Sequence, residues 1–176
     1  MKSDIINIDN NGNGFQNALE QTAKAAEYRG LSHKEELRLR LCTEEMLSLA
    51  HSVTGEMEAS FWIENEGKVF QLHMATKTIM DKEKRYLLLS SATSRKNEAA
   101  NSFLGKLRDV FEEAMLAEVD HSDDIPYDEL PDLANHPIED TEWDGYERSV
   151  LRRMADNIKV GIRGGLVDMT VTKKFD

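Results

Sequence analysis

Apolar and polar positions along this chain follow two different spacings, and the places where the spacing changes mark its elements. The run from Ile5 to Ile8 is short and apolar, and Asn10-Asn11-Gly12-Asn13-Gly14 breaks it, so a strand ends in a turn. Phe15 to Tyr28 reads as a helix closed by Gly30, a residue that accepts the left-handed backbone of a helix stop. Ser32 and Glu35 stand in capping-box spacing and open a second helix. Its apolar stripe runs Leu39, Cys42, Met46, Leu49, Val53 in steps of three and four, and the helix ends near Gly55.

Two strands follow. Ala59, Phe61 and Ile63 alternate with polar or exposed neighbours, Glu64 to Gly67 turns the chain, and Phe70, Leu72 and Met74 alternate with Gln71 and His73. The spacing predicts a third helix from about Asn97 to Ala117, with Phe103, Leu104, Leu107, Val110, Phe111 and Met115 inward. Tyr146, Val150, Leu151, Met154 and Ile158 mark a fourth. A closing hairpin pairs residues 158–162 with 167–171 around Gly164-Gly165. Helices and antiparallel strands segregate along the sequence. The fold class this predicts is α+β: a two-layer sandwich with one mostly antiparallel sheet and helices on a single face.

With 176 residues the chain suits one domain, residues 1–176, with a core hiding roughly 70% of its extended surface. Hydrophobic residues at 40% and charged residues at 31% fit an ordinary globular protein. No apolar run approaches the ~20 residues that cross a bilayer, and the first residues lack a secretory layout. The lone Cys42 excludes an internal disulfide framework. A cytoplasmic protein is expected.

The net charge of −11 argues against nonspecific binding to nucleic acid or anionic membrane. Its location changes the picture. Between Ala117 and Tyr146 stand eleven acids and no Lys or Arg, so the whole excess lies in one stretch. All three prolines (Pro126, Pro131, Pro137) fall there too, which prevents a continuous helix. Residues 118–143 therefore read as an irregular acidic insertion or lid.

The run Leu41-Cys42-Thr43-Glu44-Glu45-Met46-Leu47-Ser48-Leu49 resembles the N-box helix of the GHKL (histidine-kinase-like) ATPase superfamily, in particular the anti-sigma-factor serine kinases. The strand–turn–strand that follows, and the last helix leading through Ala155-Asp156-Asn157 into a hairpin, keep the same order as in those kinases. The resemblance implies a histidine-kinase-like ATPase fold over residues 1–116 and 145–176. It also implies pairing of two copies and action on a protein partner.

Three family landmarks are altered here. In the family the second Glu of the N-box is the general base and a following Asn holds Mg²⁺. Glu45 matches the base position, edging the apolar stripe one turn from Leu41 and Leu49, but the Asn position is filled by Leu49, which has no oxygen to offer. A one-residue slide places Glu44 and Ser48 there instead, and a hydroxyl substitutes poorly for an amide carbonyl. Glu44 also stands in i,i+4 spacing with Arg40, as in an exposed ion pair. The Asp-x-Gly turn whose carboxylate receives the adenine amino group becomes Met74-Ala75-Thr76-Lys77-Thr78, leaving Thr76 to face a base. The Gly-rich lid is absent as such, and Ser94-Arg95-Lys96-Asn97 with Gly105-Lys106 supply only a helix start with nearby bases. Eleven carboxylates in the segment that borders the triphosphate in the family would also repel ATP.

Asp9-x-Asn11-x-Asn13-Gly14 followed by Glu20 satisfies the EF-hand spacing, with alternate oxygens for Ca²⁺ and Glu20 closing the shell. The competing reading is an Asn/Gly-rich turn into a helix with Asn13 or Gly14 at its N-cap. The five histidines show no metal-ligand spacing. His33 and His73 are expected at the surface, Cys42 as a buried inert thiol, and Trp62 as an outward aromatic that anchors a partner or packs under the acidic stretch.

The expected function is a regulatory, protein-binding module with an eroded nucleotide cleft at Ser48, Leu49, Thr76 and Lys106. No cofactor is expected, ATP and Mg²⁺ binding only where the site is retained. The alternatives are an active ATP-binding serine kinase with Glu45 as base, and a calcium-binding domain through Asp9, Asn11, Asn13 and Glu20.

Overall fold

Among the described residues five strands form one sheet in the order β1-β2-β3-β5-β4, every neighbouring pair antiparallel. The strands are β1 (Ile6–Ile8), β2 (Ala59–Glu66), β3 (Val69–Lys77), β4 (Asn157–Arg163) and β5 (Leu166–Lys174). Helices α1 (Phe15–Tyr28), α2 (His33–Thr54) and α3 (Lys82–Ser91) complete the described elements, with a short 3₁₀ turn at Glu98–Ala100 and helical residues 150–154. The computed structural model describes residues 1–9, 11–54, 58–100 and 150–176. The predicted third helix falls largely outside these residues, as do the acidic stretch and Lys106.

The period-two pattern of the strands decides which face is covered. Phe61, Ile63, Phe70, Leu72, Met74, Ile158, Val160, Ile162, Val167, Met169 and Val171 are all buried on one face. Leu39, Cys42, Met46, Leu49 and Val53 of α2 meet them in the same core. Each fully buried large side chain contributes on the order of 1.5–3 kcal/mol. The fold is thus the α+β arrangement that the spacing predicts, with a sheet antiparallel throughout.

Local signals act as the sequence suggests. Gly30 (φ 67°) ends α1 in a Schellman arrangement: its N–H donates to the Glu27 carbonyl and the Leu31 N–H to that of Ala26. At the start of α2 the Glu35 carboxylate accepts from the Ser32 N–H (2.7 Å), while the Glu35 N–H donates to the Ser32 hydroxyl (3.4 Å). The two helices meet through a buried pair of hydroxyls, Thr22 and Thr43, 3.0 Å apart. The Thr22 hydroxyl donates to the Ala18 carbonyl (2.8 Å) and its oxygen can accept from Thr43, so neither is left without a partner in the apolar core.

Three readings need correction. Arg40 pairs with Glu36 (3.9 Å) rather than with Glu44, which is exposed. Ile158 belongs to β4: the helical residues stop at 154, and extended backbone resumes at Asn157. Helix α3 has no counterpart in the sequence reading, because its charged first turn and the run Leu87-Leu88-Leu89 give no clear stripe. Its start is set by Asp81, whose carboxylate accepts from the Lys84 N–H at 2.7 Å.

The outer edge of β4 is closed by the chain itself. Thr93 exchanges hydrogen bonds with Ile158 through its backbone N–H and its hydroxyl. Asn97 does the same for Ile162 with its carboxamide, accepting from the N–H (2.8 Å) and donating to the carbonyl (2.9 Å). Two side chains and a backbone bridge between Asn97 and Val160 thereby cover this edge.

Candidate functional site

Helix α2 carries Glu44, Glu45, Ser48 and Leu49, the residues that the resemblance marks for nucleotide chemistry. Its stripe turns Leu49 fully into the core, 0% exposed, while Glu45 and Ser48 are half-buried and Glu44 is exposed. A magnesium ion needs oxygen ligands with water beside them. At position 49 there is only an aliphatic side chain sealed against the sheet. Glu45 lies in another environment, where α2 approaches β5. Burial pushes the Cys42 thiol up to about 12; Lys173 opposes this, and Asp156 and Glu45 add to it. These three charged groups therefore lie in one electrostatic neighbourhood. Lys173 Nζ is 3.4 Å from Asp156 Oδ1, and Asp156 Oδ2 accepts from the Lys174 N–H at 2.6 Å. Glu45 Oε2 is closed off from solvent, which restricts its reach as a general base. Cys42, buried and held protonated, is the inert thiol that its register predicts.

Thr76 sits near the end of β3, 5% exposed, and its hydroxyl donates to the Glu58 carbonyl at 2.9 Å. Its one proton is engaged within the fold. The next carboxylate along the chain, Asp81, is the N-cap of α3 and lies 3.8 Å from Lys84 Nζ. Asn97 is engaged by β4 through its carboxamide.

The Asp9 carboxylate is hydrogen-bonded within its own turn. Asp9 Oδ1 accepts from the backbone N–H groups of Asn11 (2.9 Å) and Asn13 (3.0 Å), and Oδ2 accepts from the Asn13 side chain (2.7 Å). The Asn13 side chain is the largest cause holding the Asp9 carboxyl below its usual range, with the backbone N–H groups of Asn13 and Asn11 adding to it. Gly14 stands at the N-cap of α1 with φ 87°, and Glu20 is exposed on that helix. Among the described residues no three His, Cys, Asp or Glu side chains come together as a metal group.

Two of the predicted residues do meet. Asp9 and Ser48 line one hollow of about 150 Å³ with Ile8, Phe15, Leu47 and His51. Pockets that enclose organic ligands run to about 300–1,000 Å³, so this hollow has room for a small ion or a few waters and not for a nucleotide. Glu45, Leu49 and Thr76 lie outside it.

A cluster missed at the sequence level lies on the face of the sheet away from the core. Trp62, His73 and Thr170 are neighbours across β2, β3 and β5. His73 is not a surface residue: its side chain is 16% exposed, stacked on Trp62 and hydrogen-bonded through Nδ1 to the Thr170 hydroxyl (3.1 Å). Glu64 Oε2 lies 4.0 Å from His73 Nε2, and Glu64 Oε1 lies 3.3 Å from Lys2 Nζ. Lys2 Nζ also stands 5.3 Å from the centre of the Trp62 ring. Burial lowers the His73 pKa, with Glu64 acting against it. The strand alternation placed Trp62 and His73 on one face; the pairing register that makes them neighbours depends on the fold.

Comparison with known proteins adds no identification: no protein-family model matches the chain, and no curated protein matches it significantly. Among the described residues no helix is long and apolar enough to cross a membrane.

Proposed function

We propose that this chain is a histidine-kinase-like regulatory module that works by binding a protein partner, its ATP and magnesium site having been lost. The observation that carries this reading is the complete burial of Leu49 at the position where the resembled kinases present a metal-binding Asn. Two further features support it. The Thr76 hydroxyl is engaged with Glu58, and the hollow beside Ser48 is too small for a nucleotide. The strand, two helices and two strands at the start of the described chain, and the hairpin at its end, stand in the order on which the resemblance rests, while α3 is an addition to it. In such a module the sheet and α2 form a rigid support, and surface side chains select the partner. The test is calorimetric titration of the full chain with ATP, with and without Mg²⁺. No binding at millimolar nucleotide is expected; micromolar affinity would overturn the proposal and favour an active kinase with Glu45 as base.

A further inference from the structure

We infer that the β4 margin of the sheet is a docking surface for an acidic segment of a partner protein, an inference that rests on the protein-binding reading above. Six cations gather along this margin. Lys159 and Arg163 point away from the core on β4, about 13 Å apart at 3.3 Å per residue. Arg95 and Lys96 run beside the same strand, fixed between Thr93, which is bonded to Ile158, and Asn97, which is bonded to Ile162. Arg152 and Arg153 stand on the helical residues that lead into β4. All six side chains are exposed, and none has a carboxylate partner among the described residues. Three acids border the row: Asp156 is engaged by Lys173 and the Lys174 N–H, Glu98 accepts from the Ser94 hydroxyl, and Asp168 stands opposite Gly161 between Lys159 and Arg163, so the cations outnumber the carboxylates there.

The arrangement calls for a counter-charge in a protein that is acidic overall. Arg95 is the one non-glycine residue with positive φ (54°) among the described residues, a conformation that persists only where its surroundings hold it. Asn97 and Thr93 already satisfy the hydrogen-bonding edge of β4, so an added strand cannot pair there. Recognition therefore falls to side-chain charge. Charge complementarity selects the occupant: a short run of Asp and Glu matches a row of cations. A nucleic acid, with its dense phosphate charge, meets repulsion from a chain carrying −11. Screening over a Debye length, about 8 Å at physiological salt, confines either ligand to the nearby cations, and a peptide with few charges meets less of the chain's overall repulsion.

The test measures binding of a fluorescent oligoglutamate peptide to the full chain by anisotropy, with oligoglutamine and a single-stranded RNA as comparisons. Saturable, salt-sensitive binding of oligoglutamate alone is expected. It should weaken about tenfold or more in Arg95→Glu/Lys96→Glu and in Lys159→Glu/Arg163→Glu. It should be unchanged in Lys24→Glu/Lys34→Glu, on α1 and α2. Circular dichroism and thermal melting establish that each variant folds; where one does not, the other pair decides. Equal loss in the helix variant, tighter binding of RNA, or no peptide binding (the result if the chain's own acidic stretch already saturates the margin) would each overturn the inference. None of these readouts involves nucleotide, so its failure is separable from failure of the proposed loss of ATP binding.

Discussion

The imidazole of His73 lies parallel to the indole of Trp62, their ring centroids 5.0 Å apart and their planes 7° from parallel. The two residues are direct cross-strand partners in β2 and β3. Such pairs add about 0.5–1.5 kcal/mol beyond the area they bury. Trp62→Ala should therefore lower stability by about 2–3 kcal/mol once the lost burial is included, read from the urea midpoint at constant slope.

The same pair makes stability depend on pH. His73 has a folded pKa below its ordinary 6.5, chiefly because burial disfavours the charged ring. On acidification the unfolded chain takes up this proton first. The contribution of the neutral ring is therefore complete above pH 6.5 and is lost as pH falls from there toward the lower folded value. Glu64 acts in a lower window. Lys2 chiefly holds its carboxyl below the usual 4.5, so its contribution is present above 4.5 and lost below. Thermal melting between about pH 7 and pH 5 should show a decline in the native chain that His73→Gln flattens. An unchanged slope in the variant would refute the assignment to His73.

Leu49→Asn would restore the residue type of the resembled kinases, yet the side chain would enter a closed core. The expected outcome is a loss of about 2–5 kcal/mol, combining the lost packing with a buried amide. Leu49→Met should cost less than about 1.5 kcal/mol. Nucleotide titration of the Asn variant, if it folds, should remain flat.

Asn97→Ala would remove both hydrogen bonds with Ile162 and leave a buried N–H and carbonyl without partners. A loss of about 2–3 kcal/mol is expected. Asn97→Asp should be no milder, because a carboxylate can accept from the Ile162 N–H but sets a buried negative charge against the Ile162 carbonyl. Hydrogen exchange at Ile162 reads the difference directly.

Calcium should leave the melting temperature unchanged, since the Asp9 oxygens are already engaged by Asn11 and Asn13. A rise abolished by Glu20→Ala would reverse that expectation. Gly14→Ala should be severely destabilising regardless of calcium. A Cβ there would stand 2.1 Å from the Asn7 carbonyl oxygen, in a backbone conformation with φ 87°.

Much of the architecture was legible because its signals are local or periodic. The Ser32–Glu35 box, the Gly30 stop and the stripe from Leu39 to Val53 each depend on residues within a few turns. The α3 start was readable only from Asp81, a single cap without a clear stripe behind it. The candidate sites were less accessible, since they depend on register and on which atoms are already engaged. The Asp9 pattern offered oxygens in the right order, and only the fold shows them turned on their own backbone. The Trp62–His73–Thr170 row spans three strands, two of them separated in sequence by about half the chain. No spacing rule could have assembled it.

The Asn97 clasp also bears on how this protein resists self-association. A sheet margin with unpaired N–H and carbonyl groups is a template on which further chains can stack into fibrils. Here the β4 side is blocked by a carboxamide and a threonine, leaving the three-residue β1 at the opposite margin. Removing that one amide would open this margin at Ile162, with Thr93 and the backbone bridge between Asn97 and Val160 still covering the rest.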